Sequence, residues 1–182
     1  MLDLGTLPAK IAKYQQVLQN TENYRKAWDD YLRDKIVDTL QKLIGETDLT
    51  VEIDIRDGLK NLESVVLSLG VVPSGIYEPV GDQFRKKLYK GNGMLVFQQM
   101  YNGKIIVMMS YPHIEQVANP KPPKTLEIIR PEELTDGYML RYLETFFTEI
   151  IEWEDYDDDI PTTIGFNTGF QNNGLLKENS TT

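Results

Sequence analysis

Residues 94–111 have the sequence MLVFQQMYNGKIIVMMSY, in which two apolar runs flank the pair Asn102-Gly103. Asn-Gly is the preferred pair for a two-residue type I′ turn, because both central residues of that turn have positive φ. We therefore predict a β-hairpin whose short loop sets the pairing of its strands. The predicted pairs are Tyr101 with Lys104, Met100 with Ile105, Gln98 with Val107 and Val96 with Met109.

Both faces of the predicted hairpin are apolar. One face would carry Met94, Val96, Gln98, Met100, Ile105, Val107, Met109 and Tyr111, and the other Leu95, Phe97, Gln99, Tyr101, Lys104, Ile106, Met108 and Ser110. A hairpin of this kind is expected at the centre of a sheet, with other elements covering each face.

Helices are predicted on both sides of the hairpin. Apolar residues recur at helical spacing through residues 7–44, while Asn20 and Asn23 lower the local helix propensity. We predict two helices with a break near Asn20, and one long helix is the alternative. A last helix is expected to begin at Thr135 or Asp136, both good N-caps, and to present a wide apolar stripe to a sheet.

The remaining strands are predicted at residues 50–57, 63–72 and 125–129, the last at a sheet edge. Asp82 is expected to cap a short helix that ends at Gly91. These elements predict an α+β fold with a mainly antiparallel meander sheet of about five strands. Two N-terminal helices and one C-terminal helix would pack on this sheet. If they share one face, the second face of the hairpin stays apolar and exposed.

The chain of 182 residues is long enough for one domain with a proper core. We assign residues 1–159 to a single α+β domain and residues 160–182 to a Gly/Asn/Thr-rich extension. Apolar residues in the extension would let it pack on its own domain or on a neighbouring molecule.

Composition excludes several functions. The chain has no cysteine, which excludes disulfides, thiolate metal sites and a cysteine nucleophile. Its net charge of −9 argues against nucleic-acid binding as the main role. The N-terminus lacks the apolar core of a secretory signal, and no apolar run reaches the ~18 residues of a membrane span. We expect a cytoplasmic protein without a membrane association or a cofactor.

Charge is segregated along the chain. Residues 144–159 include eight acidic side chains and no basic one, whereas residues 83–104 include five basic side chains and no acidic one. This asymmetry can guide the choice of a partner. The run Asp155–Asp159 lacks the ligand pattern of an EF-hand loop, so we interpret it as a solvated acidic segment and not as a metal site.

Candidate contact residues for a ligand or partner follow from residue type. His113, the only histidine, forms His-x-Glu with Glu115 and could act as a general base. No nucleophile motif accompanies this pair, and one His with one Glu is too few for zinc. A basic cluster with nearby aromatic residues could bind an anion or an acidic protein segment, although a solvated loop is the simpler interpretation. The full set is Tyr77, Arg85, Lys86, Lys87, Tyr89, Lys90, Tyr111, His113 and Glu115.

Three functional hypotheses remain. The first is a non-catalytic protein-interaction or assembly module that can form a homodimer. The second is a domain that binds a small ligand or an anion in a pocket between sheet and helices, near Tyr77, Arg85 and Tyr111. The third is an enzyme that uses His113 and Glu115. An enclosed cavity with convergent polar groups favours the second, and a large apolar surface favours the first.

Overall fold

The computed structural model describes residues 4–81, 84–117 and 119–156. The helices are α1 (Leu7–Ala27), α2 (Arg33–Gly45) and α3 (Asp136–Glu154), with a π-helical segment at Trp28–Leu32 and a 3-10 turn at Pro131–Glu133. The strands are β1 (Glu52–Arg56), β2 (Ser64–Ser68), β3 (Val71–Val80), β4 (Phe84–Gly91), β5 (Met94–Gln99), β6 (Ile105–Ser110), β7 (His113–Ile114) and β8 (Lys124–Ile129). The predicted extension at residues 160–182 lies outside the described residues.

The prediction of an α+β fold with antiparallel strands is confirmed. A five-stranded sheet has the order β1-β2-β5-β6-β8, which places the β5–β6 hairpin at its centre and β8 at an edge. A second sheet, which the sequence did not predict, has the order β3-β4-β7. Because β2 pairs directly with β5, strands β3 and β4 leave the main sheet as a separate hairpin, which we call the arm (residues 71–91).

The loop and register predicted for the central hairpin are wrong. Phe97 pairs with Val107 and Gln99 pairs with Ile105, one residue away from the predicted alignment. The loop has three residues, 101–103, because Met100 N donates to Lys104 O at 2.7 Å and Gly103 N donates to Met100 O at 2.8 Å. Gly103 has a φ of 76°, whereas Asn102 does not have a positive φ. A three-residue loop that ends in a left-handed glycine is the next common hairpin type. The two predicted face compositions therefore fail with the register.

Gly103 lies directly under α1, which explains why this position is a glycine. A Cβ at Gly103 would lie 2.6 Å from the Cβ of Tyr24 and 3.0 Å from the carbonyl oxygen of Thr21. Beside it, the Arg25 guanidinium donates a hydrogen bond to the carbonyl oxygen of Tyr101. This position thus needs glycine both for its backbone conformation and for the close approach of the helix.

The predicted break near Asn20 is also wrong, and the alternative of one long helix is correct. Helix α1, the π-helical segment and α2 follow one another without interruption from Leu7 to Gly45, a length of about 58 Å at 1.5 Å per residue. Asn20 lies inside α1, where it accepts a hydrogen bond from the Gln16 amide at 3.0 Å. The distortion occurs instead at the π-helical segment, which buries Trp28 and Leu32.

Helices α2 and α3 share one face of the main sheet. One hydrophobic cluster joins residues from α2 and α3 with inward residues of β2, β5 and β6, including Leu40, Phe146, Leu67, Phe97 and Val107. The opposite face of the central hairpin carries Met94, Val96, Ile106 and Met108, all of intermediate burial. The helices therefore cover one face only, which answers the question that the sequence left open.

The helix predicted to end at Gly91 is instead strand β4, and the predicted strand at residues 63–72 divides into β2 and the start of β3. Phe84 and Leu88 are four residues apart, a spacing that places two side chains on one face of a helix and also on one face of a strand. The apolar pattern therefore could not distinguish the two structures. By contrast, α3 begins as predicted, with the Thr135 hydroxyl accepting a hydrogen bond from Tyr138 N.

Candidate functional site

The N-terminal half of α1 exposes an ordered apolar stripe. We call Leu4, Leu7, Ile11, Tyr14 and Leu18 the seam; their exposed fractions are 54%, 49%, 49%, 62% and 49%. No residue of α1 is buried. From Leu7 onwards, seam residues alternate four and three positions apart, the repeat that places side chains along one line of a helix and is typical of paired helices; Leu4 lies just before the helix.

The seam continues the helix face that forms the core. The same alternation runs on through Thr21 and Arg25 to Trp28 and Leu32, which are 1% and 0% exposed. The sheet meets the helix at the hairpin loop, where Gly103 packs against Thr21. The core-facing stripe therefore extends beyond the sheet for the length of the seam.

Sequence reasoning recognised the helical spacing of these apolar residues but did not distinguish the exposed ones from the buried ones. The three-and-four spacing was visible in the sequence, and it correctly indicates that these side chains share one face. The spacing does not show how far along the helix the sheet extends.

Most of the predicted basic cluster lies on the arm. Arg85, Lys86 and Lys87 are exposed on β4, and Glu78 is the cross-strand partner of Lys86. The Gln116 amide, in the orientation that satisfies both neighbours, donates to Glu78 at 2.7 Å and accepts from Lys86 at 3.1 Å. Two predicted aromatic contacts, Tyr77 and Tyr89, are 50% and 48% exposed on the same arm, and Phe84 is 74% exposed.

Lys90 differs from the other basic residues of the arm. Its Nζ lies 2.6 Å and 2.8 Å from the two carboxylate oxygens of Glu154, and 5.6 Å from the ring centroid of Trp153. Only 18% of the Lys90 side chain is exposed. Its ion pair with Glu154 joins the base of the arm to the end of α3. The first part of the acidic run thus pairs with the basic segment within one chain. Asp157, Asp158 and Asp159 lie outside the described residues.

A cleft of about 550 Å³ lies at the base of the arm. Its walls are the ends of β2, β5 and β6, the junction of β4 with β5, and the proline-rich segment at residues 120–123. Tyr111 and His113 line the cleft, whereas Tyr77 and Arg85 do not. The predicted location between sheet and helices is therefore not the location of this cleft.

Behind the cleft, Tyr111 belongs to a fixed ionic cluster. Its hydroxyl donates to Glu149 Oε2 at 2.7 Å, and Lys124 forms an ion pair with the same carboxylate. Burial and the bond to Glu149 raise the pKa of Tyr111. Burial alone would raise the pKa of Glu149, but the hydrogen bonds from Lys124 and Tyr111 outweigh it and lower that pKa. The Nζ of Lys121 lies 3.7 Å from the centroid of the Tyr111 ring. Through Glu149, these contacts hold Tyr111 and the start of β8 against α3.

His113 lines the cleft, and Glu115 lies two residues further along the chain. His113 pairs with Gly91, and Glu115 N donates to the carbonyl oxygen of Tyr89 at 3.2 Å. His113 is half-buried and Glu115 is exposed. The structure therefore brings both residues beside Tyr89 and Lys90, without a hydrogen bond between His113 and Glu115.

Sequence reasoning missed a small buried polar group beside the π-helical segment. Glu63 and Gln99 are 6% and 1% exposed, and Gln99 N donates to the carbonyl oxygen of Glu63. Lys60 Nζ lies 2.8 Å from Asp29 and 3.5 Å from Glu63. Gln99 is buried because it lies on the same face of β5 as the core residues Leu95 and Phe97.

Comparison with protein-family models, with curated proteins and with solved structures returned no match to this chain. Across the described ranges, no three His, Asp or Glu side chains converge in a way that could hold a metal ion. None of the described helices has the length and apolar character needed to cross a membrane.

Proposed function

We propose that this protein is a non-catalytic assembly module that associates with a protein partner through the seam. One observation supports this proposal above all: an ordered helix carries an apolar stripe, continuous with the core, that nothing in the described chain covers. An isolated helix of the length of the free half of α1 is marginally stable in water. A partner that packs on the seam would stabilise it and would remove the exposed apolar surface from water.

The expected strength of the interaction follows from the exposed fractions. Full burial of a large apolar side chain contributes about 1.5–3 kcal/mol. Seam residues are about half exposed, so each has roughly 1 kcal/mol still to gain. Two such surfaces together would contribute roughly 10 kcal/mol, against an association cost of about 4–15 kcal/mol. We therefore expect reversible association that depends on protein concentration.

Sedimentation equilibrium on the full chain tests the proposal. Ile11→Asn combined with Tyr14→Asn removes two neighbouring seam side chains, and Gln16→Asn on the opposite side of the helix is the matched control. The double variant should be monomeric at concentrations where the wild type and the control associate. Equal association of the double variant and the wild type contradicts the proposal.

The salt dependence of association distinguishes an interface formed by the seam from one formed by charged surfaces. An apolar interface is insensitive to salt, whereas an interface between the exposed basic residues of the arm and acidic residues of a second molecule weakens as salt is added. Since Lys90 and Glu154 already pair within the chain, we expect association to persist at high salt. Loss of association at high salt would point to the arm instead.

A second candidate function is the binding of a small apolar ligand in the cleft. Its volume of about 550 Å³ lies within the range of about 300–1,000 Å³ typical of ligand sites. Gly91 lines the cleft, and a Cβ there would meet only His113 O at 4.0 Å, so Gly91→Leu should occupy part of the space without strain. The fluorescence of anilinonaphthalene sulfonate should fall in this variant and stay unchanged in Gly58→Leu. Equal fluorescence in both variants contradicts a ligand site in the cleft.

The enzyme hypothesis has less support from the geometry. Glu115 is exposed and does not orient the His113 ring by a hydrogen bond. His113→Ala should leave any discovered activity within a few-fold of the wild type, and a loss of several orders of magnitude with the fold intact would revive the hypothesis.

A further inference from the structure

We infer that the partner of the seam is a second copy of this chain, with the two α1 helices antiparallel about a two-fold axis. This inference rests on the proposed function and adds the identity and orientation of the partner. It is supported by the spacing of the seam, by the position of the sheet on the helix and by the charges of α1.

The spacing of the helical seam residues Leu7, Ile11, Tyr14 and Leu18 is symmetric about the midpoint between residues 12 and 13. In an antiparallel pair centred there, Leu7 faces Leu18 of the second copy and Ile11 faces Tyr14 of the second copy. Each contact then occurs twice, as a two-fold interface requires, because the same patch of both subunits is used. Each of these four helical seam residues therefore obtains a partner, while Leu4 lies just before the helix.

The position of the sheet on the helix prevents two parallel α1 helices from pairing over the same length. From Trp28 onwards, the face that carries the seam is buried against the chain's own sheet, and the hairpin loop contacts the helix at Thr21 and Tyr24. Parallel helices would bring both sheets to the same end, on the face that the partner helix needs. Antiparallel helices place the two sheets at opposite ends. The two exposed helix segments, each about 17 Å long from Leu7 to Leu18, then match in length.

Charge also favours the antiparallel arrangement. Lys10 and Lys13 are the only charged residues between positions 7 and 21. A parallel pair would place the two Lys10 side chains at the same level of the interface. In the antiparallel pair, Lys10 lies beside Val17 of the second copy, on the same flank of the seam, so the like charges are separated. The opposed helix macrodipoles add a small favourable contribution.

Engineered disulfides test the orientation directly, since the chain has no cysteine of its own. Disulfide formation requires Cα atoms about 4.4–6.8 Å apart. We expect an oxidised mixture of Leu7→Cys and Leu18→Cys chains to form the mixed disulfide, identified by mass after isotope labelling of one chain. Leu18→Cys alone should not cross-link, because two copies of this position would be about 16 Å apart along antiparallel helices. Both side chains are about half exposed, so the substitutions should not disturb the fold, and Gln16→Cys on the opposite face should not cross-link in any mixture.

The outcomes separate this inference from the proposed function. Preferential mixed disulfides, together with association of the wild type, support the antiparallel pair. Self-cross-linking of Leu18→Cys would show a parallel pair, which overturns the inference and leaves the seam as the contact surface. Association of the wild type without any cross-link at these positions places the interface elsewhere and also overturns the inference. A monomeric wild type in sedimentation equilibrium overturns the inference and leaves a different protein as the partner of the seam.

Discussion

Ile11→Ala measures the contribution of the seam to association without weakening the helix. Ile11 is 49% exposed in the single chain and lies in the middle of the seam, where the proposed pairing would bury it completely. Alanine has a higher helix propensity than isoleucine, so the substitution strengthens the helix itself. Any loss of association must therefore come from the lost contact and not from unwinding of α1.

The expected magnitude follows from the carbon atoms removed. The change deletes three carbons, each contributing about 0.8 kcal/mol when fully buried. About half of that burial remains to be gained on association, which gives roughly 1.2 kcal/mol for each copy. Because a two-fold interface contains the site twice, the dimer loses roughly 2.4 kcal/mol. That loss corresponds to a dissociation constant about 50-fold higher.

Sedimentation equilibrium over a range of concentrations measures both dissociation constants. Gln16→Ala is the matched control, since Gln16 lies on the opposite side of α1 and its amide donates a hydrogen bond to Asn20, one turn away. Its dissociation constant should equal that of the wild type. The reasoning is refuted if the wild type associates and Ile11→Ala binds within a few-fold of it, or if Gln16→Ala weakens association equally.

Three further predictions concern the body of the protein. Gly103→Ala should lower the free energy of unfolding by at least about 1–3 kcal/mol for the left-handed backbone, with the contact to α1 adding to the loss, as a fall in Tm would show. In Glu149 the folded-state pKa is lowered, so the stability from its contacts is present above the unfolded-state pKa and is lost as the pH falls through the folded-state pKa. Urea unfolding should accordingly show Glu149→Gln less stable than the wild type at neutral pH, with the difference vanishing in acid; a difference independent of pH would contradict this. Lys90→Met should change the fluorescence of Trp153 and loosen the joint with Glu154, and an unchanged spectrum would contradict the contact.

Local signals in the sequence correctly predicted several elements. Alternation predicted β1, the N-cap residue Thr135 predicted the start of α3, and the apolar stripe of α3 predicted its packing on a sheet. These elements depend on residues adjacent in the chain or on one repeating face. The central position of the β5–β6 hairpin was also correct, because residues apolar on both sides favour an inner strand pair.

Where two structures satisfy the same local pattern, the tertiary structure selected between them. Asn102-Gly103 is compatible with loops of two or three residues, and the close approach of α1 at Gly103 accompanies the longer one. Phe84 and Leu88 fit a helix or a strand, and pairing with β3 makes this segment a strand. Asn20 weakens a helix by a few tenths of a kcal/mol, which is too little to break one that continues into the packed residues Trp28 and Leu32.

The cleft could not be predicted because it is formed by segments distant in sequence. His113 and Tyr111 were recognised by residue type alone, and the glycines and prolines that complete the walls carry no chemical signal of a site. These residues come together only in the folded protein, where the base of the arm meets the end of the main sheet.

In the seam, too, the sequence determines one property and the tertiary structure another, here within a single helix. Its sequence by itself determined which side chains share a face, because the helical repeat fixes their direction from Leu7 to Leu32. The sequence does not contain the length of the sheet against which that face packs. The tertiary structure ends the sheet at the Gly103 loop, so the same stripe is core at Trp28 and exposed at Ile11. The difference is physical: side-chain direction is a local property of the backbone, whereas burial depends on what the rest of the chain places nearby.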